Sequence, residues 1–338
     1  MPHSPSTVAL ATSAGDLREG TGHVVRPVPL GRPRRRGAGG RARFEITLLL
    51  APALIVFVGF VILPMAVAAY SGFFNWNGYG VPTNSVGFAN YHEVVTDPRF
   101  FKALKNNLFI VVSSLLLQGP LAILVALLLN RKMRLRGSLR VLLFVPYVLS
   151  EAIVGVGWRL ILGTGSTGGA LNALLRGVGL GSLQHYWLNT GSAIWVLLLI
   201  CTWKYLGYAI ILFLAGMQGI PDELGEAAQI DGASFWRAQW HITLPLLGPT
   251  LRIWAFLSII GSLQLFDLVY VIWGKSAPYV DVSTMASYMV LTGRDTSRWG
   301  YGNATAVVMF LISLAIALAY QRLVLRRDTE GAVTEGAR

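Results

Sequence analysis

Six stretches of the chain are near-continuous apolar runs separated by polar segments. They are Ile46–Tyr70, Leu108–Leu129, Leu139–Leu162, Ser192–Met217, Leu251–Trp273 and Ala304–Gln321. A helix crosses the hydrocarbon of a bilayer with about 20 apolar residues at about 1.5 Å per residue, and each run is close to or beyond that length. The pattern therefore predicts an all-α integral membrane protein with six transmembrane helices. Pro52, Pro64 and Pro120 are tolerable inside such runs if neighbours re-satisfy the backbone, and Gly119-Pro120 predicts a kink. In the polar segments, Asp97 is placed to cap a short helix over 97–105, and Leu171–Leu175 predicts another. Residues 1–43 are rich in Ser, Pro, Gly and Arg and lack apolar periodicity, which predicts a disordered basic tail. The six-span domain would then cover 44–327, with 328–338 as a short tail. The first apolar run is too long for a signal-peptide core and has no clear small-residue cleavage site, so it reads as a retained anchor.

Composition agrees with this pattern. Of 338 residues, 54% are hydrophobic and 13% charged, which is far from a soluble enzyme's balance. The net charge of +12 does not form a nucleic-acid-binding face. Its clusters at 32–43, 131–140 and 322–327 abut apolar runs, where membrane topology puts them. Lipid is the expected surrounding and nucleic acid is not an expected partner. With those clusters inside, both termini and the segment 218–250 are cytoplasmic. The opposite loops hold the sparser Arg99, Lys102, Lys105, Arg176, Lys275, Arg294 and Arg298. The single cysteine, Cys201, excludes a disulfide within the chain, and the five histidines are scattered, so no metal site is expected. No nucleophile, base and orienting group converge at one depth, so no catalytic residue is assigned and an enzyme is not expected.

One polar, patterned segment stands apart. Pro221 to Ile230 reads as a short helix with Pro221 at its first position and Asp222 and Glu223 in its first turn. Gly232 is suited to the left-handed conformation that ends a helix. Ser234 is placed to cap a second helix to about Thr243, which Pro245 would stop. The motif Glu226-Ala227-Ala228, then Asp231-Gly232-Ala233, then Ile242, Leu244 and Pro245 resembles the cytoplasmic coupling loop of ABC importer permeases. The likeness extends over roughly 44–327. It includes Val86-Gly-Phe-Ala-Asn-Tyr91, Phe144-Val-Pro146, Phe213 to Pro221, Gln264-Leu-Phe-Asp267 and Tyr301-Gly302-Asn-Ala304. These are similar to the maltose-permease type of carbohydrate importer without its large external insertion.

The resemblance implies an ABC importer type I permease fold with a cytoplasmic coupling helix. It implies a second permease subunit forming a heterodimer, a cytoplasmic ATPase dimer and an extracellular solute-binding protein or lipoprotein. The chain itself would bind no cofactor; ATP would be bound by the partner subunit. The implied cargo is a sugar, such as a di- or oligosaccharide or an amino sugar. A non-sugar solute such as a glycerol phosphodiester or polyol is the alternative, and a secondary transporter stands further off because no inverted repeat is visible. The chain departs from the family at Ser150-Glu151, where such permeases commonly carry prolines.

Polar groups at membrane depth mark candidate pathway residues, because they are costly in hydrocarbon. Glu151 lies about 18 Å into its run and Lys204 about 20 Å above Met217, counted at helical rise. An ion pair between them is one expectation; separate partners for each is the other. Ser258, Gly261, Gln264 and Asp267 recur at three-residue spacing and would share a helix face. Trp203, Tyr205 and Tyr208 add rings able to stack on a sugar, against the plainer reading of helix packing. The candidate pathway is thus Glu151, Trp203, Lys204, Tyr208, Gly261, Gln264 and Asp267. Two nucleotide-like motifs are set aside. Gly163–Gly168 matches G-x-G-x-x-G but follows a membrane run rather than a strand, and Gly274-Lys275-Ser276 has Val269 where a phosphate loop needs its first glycine.

Overall fold

The computed structural model describes residues 39–131, 133–163, 168–279 and 281–325, with side chains from Glu45 onward. The remainder of the expected N-terminal tail and residues 326–338, with the C-terminal tail, lie outside the described residues. The chain divides into Met1–Val56, described from Gly39 as helix, and Phe57–Arg338. That helix begins at Gly39 rather than beyond residue 43.

The elements are α1 (Glu45–Ser71), α2 (Ala89–Thr96), α3 (Pro98–Leu129), α4 (Arg136–Val148), α5 (Glu151–Leu162), α6 (Ala170–Gly177) and α7 (Ala193–Met217). They continue as α8 (Asp222–Ile230), α9 (Phe235–Ala238), α10 (Gly248–Leu263), α11 (Asp267–Trp273), α12 (Met285–Met289) and α13 (Trp299–Leu325). Among the described residues, five helices are long and apolar enough to cross a membrane, or six if the bent pair α4–α5 counts as one span. Among the described residues there is no strand beyond one antiparallel bridge between Phe74 and Ser85.

Several expectations about local structure are corrected. The helix capped by Asp97 is not separate: α3 runs from Pro98 to Leu129 as one helix, with the Asp97 carboxylate accepting from the Arg99 N–H at 2.8 Å. Pro245, expected to stop a helix, instead follows a π-helical turn, as do Pro64 and Pro120. Val58–Ile62 precedes Pro64, Ser114–Gln118 precedes Pro120, and Gln239–Thr243 precedes Pro245. Proline has no N–H to donate and its ring crowds the carbonyl one turn back; widening the turn absorbs both. Helix therefore continues past Pro245 to Leu246.

The third span is the largest correction. It is two helices bent by 94°, not one run from Leu139 to Leu162. Leu149 and Ser150 are extended, and the Ser150 hydroxyl accepts from the Ile153 N–H, so a new helix starts at Glu151. Span five also breaks. Residues 264–266 leave the helix between α10 and α11. A broken helix frees carbonyls that lipid cannot satisfy, and buried polar side chains meet them. The Lys204 ammonium donates to the carbonyls of Leu149 at 2.6 Å, Tyr147 at 3.4 Å and Pro146 at 3.5 Å. At the second break the Asn107 amide donates to the carbonyl of Ser262 at 2.7 Å, and the Thr284 hydroxyl to that of Leu265 at 2.7 Å.

The loops at the end of the bundle away from α8 are held by a polar network. The Tyr288 hydroxyl donates to Asp97 at 2.6 Å and lies 2.6 Å from the Tyr301 hydroxyl. Arg298 forms a bidentate pair with Glu93 at 2.9 and 2.6 Å and sits 4.5 Å over the Tyr301 ring. Burial would raise the Asp97 carboxyl, but hydrogen bonds from Arg99 and Tyr288 outweigh it and hold it at about 2.

Candidate functional site

Close helix contact builds the site. At Gly155 on α5 a β-carbon would meet Val271 of α11 at 2.7 Å, and at Gly207 on α7 it would meet the Leu143 carbonyl of α4 at 2.0 Å. Only glycine allows these approaches. Gly155 lies four residues after Glu151, and Val271 four residues after Asp267. The two half-helices that restart after the breaks are therefore in register, and each carries a carboxylate at its first residue.

Both carboxylates face one cavity of about 410 Å³, within the range of small-molecule sites. Span four supplies Cys201, Thr202, Tyr205 and Tyr208, and the last turn of α4 supplies Tyr147. The rings of Tyr147 and Tyr208 stack with centroids 5.0 Å apart. The Tyr205 hydroxyl donates to Glu151. From α3 come Ser114 and Gln118, whose side-chain oxygen accepts from the Ser114 hydroxyl at 2.7 Å; Ser114 in turn lies 2.6 Å from the Ser258 hydroxyl. Trp254, Ser258, Gly261, Gln264, Phe266 and Asp267 complete the wall from span five.

Of the expected pathway residues, Glu151, Tyr208, Gly261, Gln264 and Asp267 line this cavity; Trp203 and Lys204 do not. Trp203 points outward and packs edge-on against Trp158. Lys204 is buried on the carbonyls of the α4–α5 break and forms no ion pair with Glu151, whose hydrogen bond comes from Tyr205. The expected Glu151–Lys204 pair is thus replaced by separate partners. Helical rotation explains the sorting. Residues 198, 201, 205 and 208 share a face of α7, whereas 203 and 204 are turned away from it. Tyr147, Gln118 and Trp254 were missed. A signal existed for Gln118, the one amide in the predicted membrane run Leu108–Leu129.

The patterned segment forms the expected helix–turn–helix. Pro221 is the residue before α8 rather than its first. Gly232 has φ +76°. The N–H of Gly232 donates to Gln229 O at 3.0 Å and that of Ala233 to Ala228 O at 2.8 Å, a Schellman closure that needs a left-handed residue. Ser234 precedes α9 but makes no side-chain cap. Glu226, Ala227, Asp231, Gly232 and Pro245 are exposed. Ala233, Ile242 and Leu244 are half-buried, and Ala228 is buried. Arg131, after span two, lies 4.1 Å over the Phe235 ring and braces the turn. Ile230, which the motif did not mark, is 87% exposed at the tip.

Spans broken around a shared polar cavity, with an exposed two-helix element projecting from one end, define a membrane transport permease. The chain belongs to the family of binding-protein-dependent transport system inner membrane components, whose pattern matches residues 118–328. It is an inner-membrane protein of an ABC importer. It is 34% identical to the arabinooligosaccharides transport system permease protein AraP of Bacillus subtilis, over 70% of this chain and 75% of that one. It is 31% identical to the diacetylchitobiose uptake system permease protein NgcF of Streptomyces coelicolor, over 86% of each. Its fold matches a chain of a bacterial ABC transporter involved in the import of the acidic polysaccharide alginate, with a TM-score of 0.73 and 24% identity, covering 85% of this chain and 96% of that chain.

Proposed function

We propose that this chain carries a di- or oligosaccharide, or an amino sugar, through the cavity between spans two, three, four and five. The observation that carries the reading is the lining itself. Stacked tyrosines offer faces for sugar rings, and Gln118, Glu151, Thr202, Gln264 and Asp267 offer hydrogen-bonding partners for hydroxyls. The named relatives include permeases for arabinooligosaccharides and diacetylchitobiose.

In this reading the chain pairs with a second permease and with a cytoplasmic ATPase dimer, and receives sugar from an external binding protein. Both termini and α8 face the cytoplasm, as the basic clusters imply. Glu226, Asp231 and the exposed Ile230 contact the ATPase. Ala227, Ala228 and Ala233 permit close approach, Gly232 sets the turn, and Ile242, Leu244 and Pro245 join the element to span five. Closure of the ATPase dimer moves α8, and the spans reorient the cavity by alternating access. The test is ATPase activity of the purified assembly with its binding protein. Stimulation by an oligosaccharide supports the reading, and stimulation only by a non-sugar solute refutes it.

A further inference from the structure

The cavity's charge narrows the substrate class. Two acidic side chains, Glu151 and Asp267, line it, and among the described residues no Lys, Arg or His does. The nearest buried cation, Lys204, is turned onto the carbonyls of the α4–α5 break. The two carboxylates are not adventitious neighbours. They occupy equivalent first positions on half-helices held in register by the Gly155–Val271 contact. A further observation points to a ligand. Gln118 is 94% buried, and its oxygen is engaged by Ser114. Its amide nitrogen, at the cavity wall, has no protein partner. A donor so placed is ready for a neutral oxygen acceptor such as a sugar hydroxyl or ring oxygen.

We infer that Glu151 and Asp267 make the cavity select by charge, accepting neutral and amino sugars and rejecting acidic ones. The inference rests on the sugar reading above. The physical reason is Coulombic. An anionic sugar brought within about 8 Å of one carboxylate, at an effective dielectric constant of about 20 to 40, loses roughly six- to thirty-fold in affinity, and an ammonium gains a similar factor. The uronate also finds no cation to replace its lost hydration. Gln118 donates without regard to charge and so serves all three kinds.

The test uses the assembled importer in nanodiscs and matched disaccharide trios, α-1,4 and β-1,4 linked, that differ only in carrying an amino, a hydroxymethyl or a uronic acid group. Equilibrium binding is measured for each. The expected order is amino, then neutral, then acidic, with at least a tenfold gap between the last two. Glu151→Gln and Asp267→Asn each narrow that gap several-fold, the readout being the ratio of neutral to acidic binding within each variant. Equal binding of neutral and acidic members by the wild type overturns the inference and leaves the sugar reading standing. Binding of none of the probes overturns the sugar reading and the inference with it. The wild-type order is decisive even where a variant fails to assemble.

Discussion

Lys204 gives the sharpest test of how span three is held. Its side chain is buried, and its ammonium reaches three carbonyls left without helical partners at a 94° bend. Substitution by methionine keeps the stem's length and removes the donor. One contact, at 2.6 Å to Leu149, has the geometry of a strong charge-assisted bond; those at 3.4 and 3.5 Å are weak. The strong bond is worth about 1.5–3 kcal/mol. Release of favourable charge at the C-terminal end of α4 adds about 0.3–1 kcal/mol. Against this, the variant no longer buries an ammonium, which returns part of the loss. The expected net cost of Lys204→Met is about 2 kcal/mol. The assay is reversible denaturant unfolding of the purified permease in detergent, followed by tryptophan fluorescence. A variant as stable as wild type to within about 0.5 kcal/mol, or more stable, would refute the claim that Lys204 secures the break.

Other perturbations follow from the same geometry. Asn107→Leu unpins the second break, where three neutral hydrogen bonds meet, and is expected to cost about 1–3 kcal/mol in the same assay. At Gly232 a β-carbon would meet no neighbouring atom, but Gly232→Val forces a branched residue to φ +76°. It is expected to cost roughly 1–2 kcal/mol at the turn and to lower stimulated ATPase activity strongly, while membrane insertion measured by fractionation is unchanged. Tyr205→Phe and Glu151→Gln act on one hydrogen bond, so their stability losses are expected to be non-additive by about 0.5–1.5 kcal/mol in a double-mutant cycle. The Asp97 carboxyl lies near 2, below its unfolded value of about 3.9. Its contribution is therefore complete above pH 4 and lost as pH falls through 2. Asp97→Asn is expected to flatten the pH dependence of unfolding in that window.

The spans and the two-helix element were legible because their signals are local: apolar run length, a left-handed glycine and an alternation of small and polar residues. What escaped depended on rotation and on breaks. Ser150-Glu151 looked like an intrusion into an apolar run, yet a serine followed by an acid is also a helix start, and that is how the chain uses it. Counting depth along a straight helix then brought Glu151 level with Lys204, although the bend gives them different partners. Gln118 sits within a long apolar stretch and Asn107, beside Asn106, at the threshold of the same stretch, where a polar side chain must have a purpose; which purpose became clear only once the neighbouring spans were in place. The cavity itself combines residues from 110 to 267, a convergence that no local pattern contains.

The account turns on the side of the membrane that α8 occupies. With Cys201, the chain's one cysteine, replaced by serine, a cysteine at position 226 is probed with a membrane-impermeant maleimide in intact cells or spheroplasts and in inside-out vesicles. Labelling only in inside-out vesicles, and its suppression by the assembled ATPase, is the predicted result. Labelling from the external face would contradict the orientation and the coupling role together.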